Sequence, residues 1–349
     1  MSELRIAIVG MGIGRTLAHA FAAHPRARVA ALCDLLEERM EQVAGELPER
    51  PRFYTDYQKM CLDPEIDAVF VGTPNQWHVP VALEVVRRGK HVLVTKPLAD
   101  SEQAARELVG AAEAAGVVNM MSLNNRFAIE TAHLGRLREE GVFGELYYAR
   151  ARSVRRSGIP DWSPGFIKAG GGAFRDIGVH VLDAAWWMLG MPRPTSILGV
   201  SGAKFGPRGL GYWHFAVPPA DYYRQFESDD YGAGFIHFHN GAGLQIEAFW
   251  ASHQPEETQI ELFGTEAGAR WRPPTLYRTV DGAPEDVVID LPATPTAWDR
   301  LADHFVACVL DGEPCQAPLR HGLIVQRMME GLLKSAVTGR EVRFEEPFP

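Results

Sequence analysis

Short apolar runs alternate with stretches of helical period over the first third of the chain. Residues 4–9 form a mainly apolar run, then comes Gly10-Met11-Gly12-Ile13-Gly14-Arg15, and Ile13, Leu17, Ala20 and Phe21 recur at helical spacing. The same patterns predict strands at 28–33, 68–71, 91–94 and 117–122, and helices at 35–46, 57–61, 79–88 and 101–115. Strands alternating with helices specify a parallel sheet with both faces covered.

Beyond residue 124 the alternation stops. A helix is predicted over 129–140 and a strand over 145–154, followed by a helix entered through Gly170-Gly171-Gly172. Strands are then expected in succession at 196–201, 232–239, 243–250, 258–263, 269–271 and 287–289, with Asn240-Gly241 as a hairpin signal. Helices near 298–310 and 321–337 close the chain. The expected fold class is α/β: an N-terminal Rossmann parallel sheet, plus a C-terminal α+β domain with a large, mainly antiparallel open sheet. At 349 residues the chain exceeds the usual single core, so two domains are expected, 1–123 and 124–349. The final helix, about 318–337, is placed to pack back on the first of them.

A net charge of -9 and a pI near 5.8 argue against nucleic acid or an anionic membrane surface as the main partner. The dense basic run of Arg150, Arg152, Arg155 and Arg156 reads as a solvated strand edge. Cys33, Cys61, Cys308 and Cys315 lack metal-binding spacing, so neither a zinc site nor a disulfide framework is expected. The chain begins Met-Ser-Glu-Leu-Arg and enters a strand at once, and no apolar run approaches the roughly 18 residues of a membrane span. A cytoplasmic protein is expected.

Candidate chemistry lies at the carboxyl ends of the strands, where parallel sheets collect ligands. The strand, glycine turn and helix at Gly10, Gly12, Ile13 and Gly14 place backbone N–H groups where a pyrophosphate would sit. Asp34, 24 residues after Gly10, ends the second strand, where a carboxylate can accept hydrogen bonds from ribose hydroxyls and would repel a 2′-phosphate. NAD is therefore expected in preference to NADP. Thr73-Pro74-Asn75 with His78, and Lys96-Pro97, follow two further strands. After the three glycines, Asp176, His180 and Asp183 recur at i, i+4 and i+7, beside an apolar stripe of Ile177, Val181, Ala184 and Met188. A carboxylate one turn before an imidazole can orient the ring and suit His180 to accept a proton. The glycines would let the backbone approach a ligand closely. Trp162 and Trp213 could stack on sugar C–H surfaces or fill a loop or subunit interface.

Together the glycine turn, Asp34, Thr73-Pro74-Asn75 with His78, Lys96-Pro97, Asn125-Arg126-Phe127, and Gly170-Gly171-Gly172 with Asp176 and His180 resemble the glucose-fructose oxidoreductase/inositol dehydrogenase/rhizopine-catabolism (Gfo/Idh/MocA) family. The resemblance implies an NAD(P)-dependent oxidoreductase that oxidises a secondary hydroxyl of a sugar, inositol or related polyol. Lys96, Asp176 and His180 would surround the reacting carbon, with His180 as proton acceptor and Lys96 polarising the hydroxyl. Gly10, Gly12, Ile13, Gly14, Asp34, Thr73, Pro74, Asn75, His78, Lys96 and Pro97 would hold the cofactor. Lys96, Asn125, Arg126, Trp162, Asp176 and His180 would hold the substrate. Family members often pair through the open sheet, so a homodimer or homotetramer is expected. Thr95 departs from the family's usual glutamate, and the third glycine falls one residue early. An NAD-retaining glycosidase that works by transient oxidation, or a sugar-sensing regulator without catalysis, are the alternatives.

Overall fold

The computed structural model describes residues 3–345. It divides into two compact units, Met1–Phe127 with Thr294–Gln326, and Ala128–Ala293 with Arg327–Pro349.

The first unit is built on β1 (Leu4–Val9), α1 (Ile13–Ala23), β2 (Ala27–Cys33), α2 (Glu37–Ala44), β3 (Arg52–Tyr54), α3 (Tyr57–Cys61), β4 (Ala68–Val71), α4 (His78–Arg87), β5 (His91–Val94), α5 (Glu102–Ala115) and β6 (Asn119–Met121). All six strands are parallel, in the order β3-β2-β1-β4-β5-β6. Ile6, Ile8, Phe70, Val92 and Leu93 are fully buried, which accounts for strands that read as nearly continuous apolar runs. The three-residue β3 was not predicted, because so short a strand carries no readable period. Helix α2 begins later than expected because the Asp34 carboxylate accepts from Leu36 N at 3.1 Å and holds residues 34–36 in a turn. Strand order reverses between β1 and β4, whose ends are tied by Gly72 N donating to Val9 O at 2.8 Å.

The second unit holds α6 (Ile129–Glu139), β7 (Leu146–Val154), α7 (Val179–Met188), β8 (Pro194–Gly202), α8 (Ala220–Tyr223), β9 (Tyr231–Phe238), β10 (Gly243–Phe249), β11 (Glu257–Gly264), β12 (Ala267–Arg270), β13 (Thr275–Val280) and β14 (Ala283–Val288). After it, α9 (Ala297–Leu310) lies in the first unit, α10 (Leu319–Thr338) begins there and ends in the second, and β15 (Val342–Arg343) completes the larger sheet. That sheet runs β14-β13-β12-β11-β7-β10-β9-β8-β15, antiparallel throughout except for the β7–β10 pair.

The strand carrying the arginine run lies in the middle of this sheet, which corrects its reading as an edge. Arg152 pairs across strands with Glu257 at 3.1 Å, and Arg150 with Glu261. On one face Ala149, Ala151, Leu244, Ile246, Ala248, Ile260 and Leu262 are buried. The opposite face exposes Leu198 and Val200 by 54 % and 58 %, and carries stacked rings of Tyr148 with Phe235 and Tyr231 with Phe249. Strand β13, unpredicted, is half exposed and joins β14 through Asp281-Gly282, both at positive φ. That two-residue pair is a hairpin signal as strong as Asn240-Gly241.

Candidate active site

In the first unit the glycine turn and the strand ends make a cradle. Gly10 has φ +85°, and a Cβ there would lie 2.6 Å from the Gly72 carbonyl oxygen. Two strand ends therefore meet at the reversal point with no side chain between them. A Cβ at Gly12 would meet nothing within 4 Å, so the turn is open on its outer side. Gly14 faces Ile8, 2.8 Å from where its Cβ would stand, so it seats α1 on β1 despite falling one residue early. With no capping side chain and no acid in its first turn, α1 presents its positive end to the cradle. Asp34 accepts from Met11 N at 2.9 Å and from Leu36 N, which fixes its half-buried carboxylate beside the turn. Leu35, 86 % exposed, stands next to it as an apolar surface that sequence reasoning passed over.

Around this cradle lie buried polar atoms without a hydrogen-bond partner: Thr73 Oγ1 after β4, and Ser122 Oγ and Asn124 Oδ1 after β6. Such orphans are costly unless a ligand satisfies them. An open turn, a helix end, a fixed carboxylate and orphaned hydroxyls fit a dinucleotide. His78 is wholly buried, with Nδ1 2.7 Å from Pro97 O and Nε2 2.7 Å from Thr73 O. It braces the two loops that carry Thr73 and Lys96. Burial holds its ring below the usual imidazole range, opposed by the two carbonyls. Lys96 is half-buried directly after β5, while Thr95 is buried with its N–H on Val71 O at 2.9 Å. Asn125 is half-buried. Arg126 is 1 % exposed and directs Nη1 to Gln316 O at 2.7 Å and His321 Nδ1 at 2.9 Å. These two bonds make it a support for the 124–127 turn.

In the second unit the helix behind the glycines opens as a wide i→i+5 turn, Phe174–Gly178, before α7 begins. Gly178 and Gly232 leave room for the Phe174 ring: a Cβ on either would fall within about 3.1 Å of it. Turns of this kind recur at functional sites because they aim side chains off the regular helical face. Asp176 lies in this turn and His180 in the first turn of α7, both half-buried. Asp176 Oδ2 accepts from the indole Nε1 of Trp250 at 3.0 Å. Asp183 is 1 % exposed and lies inside the packing, so the reactive face ends at His180. The glycines serve the protein's own backbone more than a ligand. A Cβ at Gly171 would strike Phe166 O at 2.1 Å, and one at Gly172, φ +106°, would strike Asp229 Oδ1 at 2.1 Å.

Arg155 stacks over the Trp213 ring at 5.0 Å, and Trp213 meets Trp162 edge-on at 5.7 Å. Burial lowers the Arg155 pKa, and the charges of Asp176 and Glu256 oppose that. Trp162 is 60 % exposed, so an open aromatic surface stands in the same unit as Asp176. Asp229 accepts from Phe174 N at 2.9 Å and is pushed up to about 6 by burial. Trp250, Arg155 and Asp229 were not picked out for these roles from the sequence. A tryptophan inside a strand pattern and an aspartate just ahead of one look like packing and a turn.

Residues 4–123 match the family model described as "Oxidoreductase family, NAD-binding Rossmann fold", and residues 131–270 match the "GFO/IDH/MocA C-terminal domain". The chain is 32 % identical over 352 aligned residues to D-glucoside 3-dehydrogenase of Escherichia coli K12, covering 98 % of this chain and 97 % of that protein. It is 27 % identical to the NAD+-dependent scyllo-inositol 2-dehydrogenase of Bacillus subtilis 168, over 89 % of this chain and 87 % of the other. The solved structure of GenD2 from gentamicin A biosynthesis, in complex with NAD, superposes with a TM-score of 0.80 at 25 % identity, covering 99 % of this chain and 97 % of that one. The chain belongs to the Gfo/Idh/MocA oxidoreductase family, and its first domain is an NAD-binding Rossmann fold.

Proposed function

We propose that this member of the Gfo/Idh/MocA family is an NAD-dependent dehydrogenase that oxidises a secondary ring hydroxyl of a sugar, glycoside or inositol to a ketone. The carrying observation is Asp176 on the widened turn with His180 in the helical turn that follows, the Asp176 carboxylate being held by the Trp250 indole. The glucoside and inositol dehydrogenases among the relatives support the substrate class. Bound NAD+ would supply the hydride acceptor.

His180 accepts the hydroxyl proton, a contribution typically worth about 10² to 10⁴ in rate. Asp176 orients the imidazole and balances the charge it gains. Lys96 donates to the same oxygen and stabilises developing alkoxide. Asp34 would receive the ribose hydroxyls and exclude a 2′-phosphate, with Leu35 available to the adenine. Gly10, Gly12, Ile13 and Gly14 would hold the pyrophosphate. Thr73, Pro74, Asn75 and Pro97 would line the rest of the cofactor. Trp162 and Trp213 stack on the sugar, and Asn125 donates to its hydroxyls. The exposed face of the larger sheet pairs with a second copy, giving a homodimer or tetramer. Four free cysteines accord with a reducing cytoplasm.

The test is NADH formation by purified protein with NAD+ and a panel of glucosides, inositols and anhydro sugars. At least one compound is expected to turn over, and His180→Ala and Lys96→Ala are each expected to lose about 100-fold or more. Absence of NADH with every compound, while NAD+ binds, would overturn the proposal.

A further inference from the structure

Two of the cysteines that are scattered in the sequence come together beside a histidine in the first unit. We propose that His304, Cys308 and Cys315 bind one thiophilic divalent cation of the zinc class. His304 and Cys308 are four residues apart on α9 and share a face. Past Leu310 the chain turns back at Gly312, φ +73°, and brings Cys315 to the same place. One ring nitrogen and the two sulfurs all lie within 4.8 Å of one another, and Cys308 Sγ is 3.4 Å from His304 Nε2. Tetrahedral zinc with ordinary Zn–S and Zn–N bonds needs ligand separations of about 3.5 to 3.8 Å, so small side-chain shifts complete the set. Among the described residues this is the one such group of three or more His, Cys, Asp or Glu ligands.

The surroundings suit a metal. Nε2 of His304 accepts from Gln316 N at 3.0 Å, which leaves the ring proton on Nδ1, 4.0 Å from Glu313 Oε2, and Cys308 Sγ stands beside the same Nε2. Phe127 packs on the ring at 5.4 Å and fixes its plane. Cys315 Sγ donates to Asn119 O at 3.7 Å. His304 and Cys308 are 8 % and 3 % exposed, whereas Cys315 is half-buried, so solvent reaches the fourth position from its side. On binding, the cation displaces the Gln316 N–H from Nε2, and the Cys308 and Cys315 protons pass to solvent. The ion would clamp the 311–316 loop onto α9, and with it the Gln316 carbonyl that receives Arg126.

The experiment uses the full chain, reduced and stripped with a chelator, titrated with Co2+ and then Zn2+. One Co2+ per chain is expected, with thiolate-to-cobalt charge-transfer absorption and the visible bands of a tetrahedral site. Zn2+ should displace it and raise Tm by roughly 3 °C or more. Cys315→Ser should weaken binding about 100-fold or more, while Cys33→Ser leaves it unchanged. Zn2+ should also protect Cys315 of the unmutated chain from alkylation, a readout independent of how the variants fold. No thiolate–cobalt absorption, the same absorption in both Cys308→Ser and Cys315→Ser, or no protection of Cys315 would overturn the site.

Discussion

The indole Nε1 of Trp250 donates to Asp176 Oδ2 at 3.0 Å and ties the residue directly after β10 to the widened turn before α7. Trp250 is fully buried, so Trp250→Phe keeps most of the packing and deletes the donor. A hydrogen bond to a charged acceptor is worth about 1.5–3 kcal/mol, so kcat should fall roughly 10- to 100-fold. Asp176 acts here through the imidazole, and KM should therefore change little. Steady-state kinetics separates the two; an unchanged kcat would remove Trp250 from the account.

Asp229 lies under the glycine hinge with its pKa raised to about 6 by burial. A carboxyl raised in the folded state contributes stability below its unfolded value near 4, and that contribution is lost as pH rises through about 6. Asp229→Asn removes the buried charge yet still accepts from Phe174 N. It should raise Tm at pH 7.5, by an amount corresponding to at most ~3 kcal/mol, and the gain should vanish near pH 4. Thermal melts across this range check the sign. Gly172→Ala should destabilise at every pH, because φ is +106° and its Cβ would meet Asp229 Oδ1 at 2.1 Å.

Asp34 already accepts two backbone N–H groups, so its carboxylate is fixed beside the turn. Asp34→Ser removes the charge that repels a 2′-phosphate. The ratio of kcat/KM for NAD+ over NADP+ should fall about tenfold or more, measured with one substrate. An unmutated enzyme that prefers NADP+ would contradict the assignment.

The exposed face of the larger sheet presents Leu198, Val200 and two stacked aromatic pairs between ion-paired arginines. Such an apolar surface is expected to be covered by a second copy. Light scattering should report a dimer or larger assembly, and Val200→Glu should shift it toward monomer. A monomer at working concentration for the unmutated chain would refute the pairing.

Most of the fold was legible because it rests on local pattern. The strand, glycine turn and helix at 4–23, the parallel alternation that follows, and the later succession of strands all carry readable periods. Tertiary reach hid the rest. Nothing in the period shows that Trp250 would find Asp176, that His78 would be sealed between two loops, or that Arg126 would turn inward to Gln316. The i→i+5 turn depends on bare glycines at 178 and 232 admitting Phe174, a contact between distant segments. The His304–Cys308–Cys315 group was partly readable: a four-residue spacing on a helix was present, and only the reversal at Gly312 completes it. Asp281-Gly282 was a local hairpin signal that went unused.

The most direct test of the dehydrogenase reading follows the hydride itself. The protein is given NAD+ and a ring-deuterated form of a glycoside or inositol from the panel, and the nicotinamide is analysed by mass spectrometry. One deuterium on the reduced nicotinamide, matched by a keto product and absent with His180→Ala, is the expected result. Unlabelled nicotinamide with the unmutated enzyme across the whole panel would contradict the account.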